Sequence, residues 1–366
     1  MNILYISHLS GSQYGGPNYS VPAQVSAQAT VDNVFWYNLS APVMEHWTKT
    51  GLFHNTAEYP EKTIAALPEP FNKPDLVVFE DFYYIDDCKF GRECRRSGIP
   101  YVIVPRGALT KKAQHTKRAK KLAANAIFFR PFTRGAAAIE YLTASEKENS
   151  GTRWNKKAII LPNGVNSVPY IDKQPSDDAV SGVYIGRFTA AKGLDLLVEA
   201  VSAVQDLMRK ANVHISLYGP KTYDLWSKTQ EQILQKQIGD ILFLEDAVVG
   251  EEKDKVLRSA DFFIMTSRFE GMPMGLVEAL GYSLPCVVSS GTNMRREVES
   301  ANAGWGCDTD VQSIAGALAS LCGDKDRLFA CRKNAFELAG EYEWTALARK
   351  AHGMYENIVK ERENTK

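Results

Sequence analysis

Cysteines and long apolar runs are scarce in this chain of 366 residues. Its six cysteines form no Cys-x-x-Cys pair and lie among apolar neighbours, which favours reduced core thiols over a zinc site or a disulfide framework. No apolar run approaches the roughly 20 residues that cross a bilayer, and no signal peptide precedes the first predicted strand, residues 2–7. We therefore expect a cytoplasmic protein, with peripheral attachment to the inner face of the membrane as a further prediction.

Charge of one sign is not in excess either, because 43 Lys and Arg residues balance 43 Asp and Glu residues. The overall charge gives no reason to expect a nucleic-acid partner, and the sequence carries no recognised nucleic-acid-binding motif. Nucleic acid is therefore not among the predicted partners.

The segment from Arg95 to Arg134 departs from this balance, with eleven basic and no acidic residues. Its centre, residues 111–122, predicts a basic helix, and an apolar run at 127–132 follows. This composition suits an anionic membrane surface or a pyrophosphate-bearing acceptor. A solvated helix beside a core cluster is the alternative that composition leaves open.

Strand-like runs alternate with helical segments along the chain, which is typical of doubly wound α/β domains with parallel sheets. The length favours two domains, and a polar, aperiodic stretch after residue 166 marks the boundary. We predict an N-terminal domain at 1–166, a linker at 167–180, a second domain at 181–340 and a final helix at 341–366 that packs back toward the N-terminal domain. The predicted strands are 2–7, 34–37, 76–79, 101–104, 141–144, 182–186, 213–218, 241–244, 262–265 and 286–288.

The turn between predicted strand 262–265 and the next helix has the features of an anion site. Gly271 and Gly275 are expected to take positive φ and to let a ligand approach the backbone closely. The amides of Met274, Gly275 and Leu276 should lie at the helix N-terminus, where unpaired donors and the helix dipole favour an anion. A phosphate is the predicted ligand.

Two carboxylates, Glu270 and Glu278, flank this turn with seven residues between them. Each can accept two hydrogen bonds from adjacent hydroxyls, so the pair suggests one sugar on each side of a bound phosphate. A solvated helical position for Glu278 and a plain surface charge for Glu270 are the alternatives on spacing alone.

A second cationic pair follows predicted strand 182–186. Arg187 comes directly after the strand, and Lys192 precedes the next helix by one glycine. Two cations near unpaired helix amides would converge on a diphosphate. They would stabilise the charge that builds on a leaving diphosphate as its bond breaks.

Polar residues also follow the strands of the first half. Gly15 and Gly16 allow a phosphate to approach the backbone after strand 2–7, although the dinucleotide pattern G-x-G-x-x-G is missing. Glu80 and Asp81 follow one strand and Arg106 follows another, so all three should point toward the ligand crevice. In the second half, Asp308-Thr309-Asp310 has the form of a metal motif, but the helix that follows favours capping over metal binding.

These residues together resemble the retaining family-4 glycosyltransferases of GT-B fold, in which two Rossmann-like domains face each other across a cleft. The likeness rests on Gly186-Arg187-Phe188 with Lys192-Gly193, on Glu270 to Glu278, and on Pro285 before the next strand. It covers essentially the whole chain and is stronger in the second domain than in the first.

The resemblance implies a nucleotide-diphosphate sugar donor, most commonly a UDP-sugar, and transfer to a glycan or lipid-linked acceptor with retained anomeric configuration. It implies bacterial polysaccharide or O-antigen biosynthesis as the context, and neither a metal nor a further cofactor. By position, the catalytic residues would be Arg187, Lys192 and Glu270. The donor-binding residues would be Gly15, Gly16, Ala247, Val248, Gly271, Met274, Gly275, Leu276 and Glu278.

The first domain departs from the family pattern in one place. Many relatives carry a histidine where this chain has Arg106, the predicted acceptor-side residue. Arginine stays protonated and cannot act as a general base. A nucleotide-sugar epimerase of the same architecture and a non-catalytic sugar-nucleotide-binding subunit are the alternative functions.

Overall fold

The computed structural model describes residues 1–12, 15–116, 118–166, 168–173 and 179–363. They divide into two compact units, Met1–Gly164 with Trp344–Lys366, and Val165–Glu343. Lys117 of the predicted basic helix lies outside the described residues. So do residues 167 and 174–178 of the predicted linker.

The first unit is built on a seven-stranded parallel sheet with strand order β3-β2-β1-β4-β5-β6-β7. The order reverses between β1 and β4, and in such sheets ligands bind at the carboxyl ends of the strands beside this switch point. The strands are β1 Asn2–Ser7, β2 Asn33–Asn38, β3 Phe53–Asn55, β4 Leu76–Glu80, β5 Tyr101–Val104, β6 Ala138–Tyr141 and β7 Ala158–Ile160.

The helices of this unit cover the sheet, and apolar side chains from β1, β2, β4 and β5 form its core. The helices are α1 Pro17–Gln28, α2 Glu45–Thr48, α3 Ile85–Ser97, α4 Lys111–His115, α5 Arg118–Ala124, α6 Arg130–Gly135 and α7 Ala144–Ser150, with a 3-10 turn at Ile64–Ala66 and a π-helical turn at Asn125–Phe129.

Two predictions for the first unit are wrong. The predicted strand 141–144 lies instead at β6, and Ala144 begins α7 because the Thr143 side chain accepts a hydrogen bond from the Glu146 amide and caps the helix. The predicted basic helix is two helices, since Thr116 has extended backbone dihedrals at the end of α4.

The second unit has a six-stranded parallel sheet with strand order β10-β9-β8-β11-β12-β13, and its order reverses between β8 and β11. The central strand β11, Phe-Phe-Ile-Met, is a continuous buried apolar run, as expected for a strand that is covered on both faces. They are β8 Val180–Ile185, β9 Val213–Tyr218, β10 Leu242–Glu245, β11 Phe262–Met265, β12 Cys286–Ser289 and β13 Gly304–Cys307.

The helices of the second unit alternate with its strands. Apolar residues at helical spacing after Gly193 predicted one helix, but Val204 is non-helical, with φ −119° and ψ 19°, and separates two. The helices are α8 Leu194–Ala203, α9 Gln205–Lys210, α10 Asp224–Gln235, α11 Gly250–Ser259, α12 Met274–Gly281, α13 Arg295–Ser300, α14 Val311–Gly323 and α15 Lys325–Gly340, with 3-10 turns at Ala190–Lys192 and Ser290–Thr292.

The last helix, α16 Trp344–Glu363, belongs to the first unit and packs on α1. Its buried stripe is formed by Trp344, Leu347, Ala351 and Tyr355, which lie at helical spacing. All six cysteines are free and buried, which confirms their assignment as core thiols. Every helix in the part of the chain that the structure describes is too short or too polar to traverse a bilayer.

Candidate functional site

The predicted anion-binding residues gather at the switch point of the second sheet. Strands β8 and β11 are adjacent and parallel, so their carboxyl ends open at the same edge. Arg187 follows β8, Lys192 ends the 3-10 turn after it, and Glu270 lies in the turn after β11. This edge is where doubly wound sheets bind their ligands.

The loops after β8 and β11 are joined at Lys192 and Glu270. Lys192 Nζ lies 2.5 Å from Glu270 Oε1, and Ser267 Oγ donates to the same oxygen at 2.9 Å. Gly193 permits this approach, because it has φ +65° and a Cβ there would lie 2.3 Å from the Thr266 carbonyl oxygen. The sequence therefore needs glycine after Lys192 for the two loops to meet.

Arg268 and Asn293, which sequence reasoning missed, hold these loops in place. The Arg268 guanidinium donates to both Asp195 oxygens at 2.7 and 2.5 Å, and these hydrogen bonds lower the pKa of that carboxyl. Asn293 is buried at φ +60° and donates to the Glu270 carbonyl oxygen at 2.5 Å. No local pattern marks Asn293, because its partner lies more than twenty residues away.

Arg187 lies at this edge with its side chain exposed. Among the described residues, its guanidinium has no hydrogen-bond or ion-pair partner. A Cβ on Gly275 would lie 3.4 Å from the Ile185 carbonyl oxygen, so α12 begins close to the end of β8 that delivers Arg187. A free cation and a helix N-terminus thus occupy the same place.

The helix N-terminus supplies fewer free donors than predicted. The amides of Met274 and Gly275 have no partner among the described residues, but Leu276 N–H donates to the Pro273 carbonyl at 3.1 Å. Positive φ was also predicted for Gly271 and Gly275, and this is wrong, since neither belongs to the left-handed glycines. Gly275 is useful here because the lack of a Cβ leaves room beside the Ile185 carbonyl oxygen, and not because of its dihedral angles.

Glu278 is paired with Lys253, another residue that sequence reasoning missed. Both Glu278 oxygens lie 3.0 Å from Lys253 Nζ, and both side chains are partly exposed. Lys253 is on α11, which follows the loop that carries Ala247 and Val248 at the carboxyl end of β10. The predicted base-contacting segment and the predicted ribose carboxylate therefore border one another.

Arg106, the predicted acceptor-side residue, is buried in the first unit. It donates four hydrogen bonds, from Nε to Glu80, from Nη1 to Ser20 and Asn163, and from Nη2 to Gln24, at 2.8 to 3.2 Å. Its Nη2 also lies 2.7 Å from Glu80 Oε2 in an ion pair, and the side chain is only 6% exposed. This geometry gives Arg106 a structural role and no support for its predicted acceptor role.

The switch point of the first sheet presents other polar groups. His8 Nε2 lies 2.8 Å from Asp87 Oδ1, and the His8 ring stacks on Tyr84 at 3.8 Å. Burial raises the pKa of Asp81 to about 6, although Asp81 accepts a hydrogen bond from the Phe82 amide. Asp81 is therefore a group that can exchange a proton near neutral pH.

Gly15 and Gly16 form the start of α1. Gly15 N–H donates to the Ser12 carbonyl at 3.0 Å, and Gly16 is the N-cap residue with helical dihedral angles. Both amides lie after β1 at the ligand edge of the first sheet. Their contact with a donor remains a prediction.

The Asp308-Thr309-Asp310 segment is used for structure. Asp310 Oδ1 accepts from the Ser313 amide at 2.8 Å and caps α14, as predicted, and Asp308 pairs with Arg295 at 2.6 Å. Across the described ranges, no three His, Cys, Asp or Glu side chains gather in a way that could hold a metal ion.

Comparison with protein families supports an assignment for this architecture. Residues 180–324, most of the second unit, match the model of the family described as glycosyl transferases group 1. Mannosylfructose-phosphate synthase of Agrobacterium fabrum is 22% identical over 178 residues, which are 47% of this chain and 39% of that protein. The chain thus aligns with only about two fifths of that relative.

Longer matches extend the likeness to both units. The GDP-mannose:cellobiosyl-diphosphopolyprenol alpha-mannosyltransferase of Xanthomonas oryzae is 22% identical over 331 residues, or 86% of this chain and 83% of that protein. The crystal structure of Anabaena HepE in complex with UDP has a TM-score of 0.74 at 14% identity, covering 98% of this chain and 100% of that one. The chain therefore has two Rossmann-like domains of the GT-B fold, and within it residues 180–324 match the glycosyl transferases of group 1.

Proposed function

We propose that this protein is a retaining glycosyltransferase that moves a sugar from a nucleotide-diphosphate sugar to a glycan or lipid-linked acceptor. The observation that carries the proposal is the convergence of Arg187, Lys192, Glu270 and two free helix amides at the switch point of the second sheet. The names of the relatives, which include a transferase to a diphosphopolyprenol, support a place in bacterial polysaccharide or O-antigen biosynthesis.

The donor diphosphate would lie against Arg187 and the amides of Met274 and Gly275. Arg187 is free to form two parallel hydrogen bonds with phosphate oxygens. Lys192 has three N–H donors, and its bond to Glu270 leaves two of them for phosphate. These groups would stabilise the charge on the departing diphosphate, which is where electrostatic catalysis acts in such a transfer.

The two carboxylates would bind the sugars of the donor. Glu270 uses one oxygen for Lys192 and Ser267, and its other oxygen can accept from hydroxyls of the transferred sugar. Glu278 would accept from the ribose hydroxyls, with Lys253 fixing its orientation. Ala247 and Val248, half-buried beside α11, would contact the base.

We propose UDP as the nucleotide, supported by the HepE complex with UDP. The Xanthomonas relative is named for GDP-mannose, so guanine is the competing base. On the acceptor side, Asp81 replaces Arg106 in our assignment, because its pKa of about 6 allows it to accept a proton from an acceptor hydroxyl.

A thermal-shift screen of UDP, GDP and their sugar conjugates tests the donor assignment. A ligand that binds only the folded protein raises the melting temperature by mass action, so UDP should raise it more than GDP. The control is Arg187→Ala, which should lose most of the shift for every diphosphate while keeping its own melting temperature. No shift with any nucleotide diphosphate would contradict the proposal.

Acceptor-dependent turnover separates transfer from the alternatives. A transferase consumes the donor when an acceptor is present, whereas an epimerase converts the sugar nucleotide without any acceptor. A binding subunit would show a thermal shift and no turnover in either case. Product analysis by NMR of the anomeric proton would then decide whether configuration is retained.

A further inference from the structure

The basic segment of the first unit encloses a pocket that the proposed donor site does not use. Helices α4 and α5, the π-helical turn and residues 153–154 surround a cavity of about 140 Å³. This is far more than the roughly 10–15 Å³ that one water molecule needs. The cavity can therefore take a small anion such as a phosphate or diphosphate group.

The described residues that line this pocket include cations and no carboxylate. Lys111, Arg118, Arg130 and Arg153 all line it, and within the described ranges none of them has an ion-pair partner. Uncompensated positive charge around a concave surface concentrates anions there. A solvated basic helix, the alternative to a binding site, would carry its charges on a convex face instead.

One of the lining side chains is a buried tryptophan whose N–H lacks a partner in the part of the chain that the structure describes. Trp154 is 1% exposed, and its Nε1–H has no hydrogen-bond partner among the described residues. Trp154 is one of the lining residues, and Arg153 lies over its ring at 4.9 Å. An unsatisfied buried N–H costs about 1–3 kcal/mol, so a ligand oxygen that accepts from it would be favoured.

Apolar side chains continue the pocket outward. Leu122 lines it and is 54% exposed, and Ile127 and Phe128 are exposed on the π-helical turn whose Asn125 also lines the pocket. Exposed apolar groups beside a polar site mark contact with an apolar part of a ligand. An anion that carries a hydrocarbon chain would satisfy both features.

We infer that this pocket binds the phosphate or diphosphate head group of a lipid-like molecule, with the head group on Arg118, Arg130, Arg153 and Trp154 and the chain along Leu122. This inference rests on the proposed function insofar as it makes the ligand the anchor of a lipid-linked acceptor. The pocket lies near the ligand edge of the first sheet. Gln114, another lining residue, donates a hydrogen bond to Tyr83 Oη at 2.7 Å, and Tyr83 comes three residues after the end of β4.

The test is calorimetric binding of farnesyl diphosphate and inorganic diphosphate to the full chain carrying Arg187→Ala, which weakens the donor site. Adding Arg118→Gln and Arg130→Gln should weaken farnesyl diphosphate binding at least about ten-fold, as expected for losing charge-assisted hydrogen bonds. The matched control is Lys120→Gln with Lys156→Gln, which removes two exposed charges outside the pocket and should change affinity less than about two-fold.

Two further measurements make the result specific. Binding should change the tryptophan fluorescence, and Trp154→Phe should abolish that change. Vesicles of phosphatidylcholine with phosphatidylglycerol distinguish a general membrane surface from the pocket. Equal loss of vesicle binding in both double variants, with farnesyl diphosphate affinity unchanged, would overturn the inference and leave a diffuse basic surface.

The outcome is separable from that of the donor site. Failure of both UDP and GDP to bind the unmodified chain would remove the proposed function without affecting farnesyl diphosphate binding in the pocket. Unaltered affinity of the Arg118→Gln, Arg130→Gln variant would remove the pocket assignment while leaving UDP binding intact.

Discussion

Arg106 and Arg187 occupy the same local position in the two units and have opposite fates. Each follows a parallel strand by two residues, Val104 of β5 and Ile185 of β8. The Arg106 side chain is buried, with four hydrogen bonds and an ion pair to Glu80, whereas Arg187 is exposed and has no partner in the described part of the chain. A cation at a strand end is therefore available to a ligand only where no neighbouring element takes up its hydrogen bonds and its charge.

The surroundings of the two arginines explain the difference. Arg106 lies among Glu80, Glu140 and Glu146, three fully buried carboxyl groups of the first unit, and offsets their negative charge. Arg187 lies beside the start of α12 and the Lys192–Glu270 pair, where a buried carboxylate does not compete for it. Arg106 therefore stabilises the core of the first unit, whereas Arg187 of the second unit stays available to a ligand.

The largest expected effect is the loss of Arg106. Arg106→Met leaves Glu80 buried beside no cation, and breaking such a pair typically costs about 3–5 kcal/mol. Burial already raises the pKa of Glu80, and without Arg106 it should rise further. The free energy of unfolding should therefore fall most at pH 8 and less at pH 5, where Glu80 takes up a proton more readily.

Denaturant unfolding at both pH values measures this loss, and hydrogen exchange locates it. Lost protection should be confined to β4, β5 and α1, with the second unit unchanged. Arg209→Met, which removes an exposed arginine of the second unit, is the control and should leave the unfolding midpoint nearly unaltered. Equal midpoints for the two variants would mean that the Arg106 network contributes little.

The second effect is on turnover and spares stability. Arg187→Ala removes a cation that has no hydrogen-bond or ion-pair partner among the described residues, so the melting temperature should stay within about a degree or two. Turnover of the sugar nucleotide should fall about 10²–10³-fold, the usual cost of losing one group that stabilises transition-state charge. Steady-state kinetics measures the turnover, and a melting curve of the same preparation measures the stability. An unfolded variant or an unchanged kcat would contradict the assignment of Arg187 as a free ligand-binding cation.

The smallest effect concerns Glu140 in the first core. Burial, then the charge of Glu80, raises the pKa of Glu140 to about 8, and Tyr355 donates to its Oε2 at 2.7 Å. Between pH 4.5 and pH 8 the unfolded chain ionises Glu140 while the folded protein keeps it protonated, so stability falls as pH rises.

Glu140→Gln cannot ionise and should lose this part of the pH dependence. The free energy of unfolding of the unmodified chain should drop from pH 5 to pH 8 by on the order of 2 kcal/mol more than that of the variant. Urea titrations at four or five pH values measure the two slopes. If the free energy of unfolding had the same pH dependence in both proteins, Glu140 would not be the group responsible for it.

Sequence reasoning located most strands and the charged residues that meet at the edge of the second sheet. Strands 101–104 and 262–265 have the predicted bounds because each is an apolar run too short for a helix, and strand 213–218 because its buried residues alternate with less buried ones. It missed β3, β7 and β13, which are three or four residues long and not marked by periodicity. Such strands form because neighbouring strands pair with them.

The charged residues of the candidate site were predicted, whereas the residues that hold them in place were not. Arg187, Lys192, Glu270 and Glu278 stand out by type and spacing, but Lys253, Arg268 and Asn293 act on partners far away in the sequence. The prediction from the local sequence was also wrong for Gly271 and Gly275, which were expected to have positive φ. Gly193, expected only as the residue after Lys192, is the one that does so at this site.

The order of residues alone determined that two doubly wound α/β units would form and that cations and carboxylates would follow particular strands, since periodicity and turn chemistry are local. Only the tertiary structure decided which of those charges stay free. The reason is that a charge is satisfied by whatever partner folding brings within about 3 Å. The partners of Arg106 come from three separate parts of the chain, Ser20 and Gln24 from α1, Glu80 from β4 and Asn163 from the segment after β7.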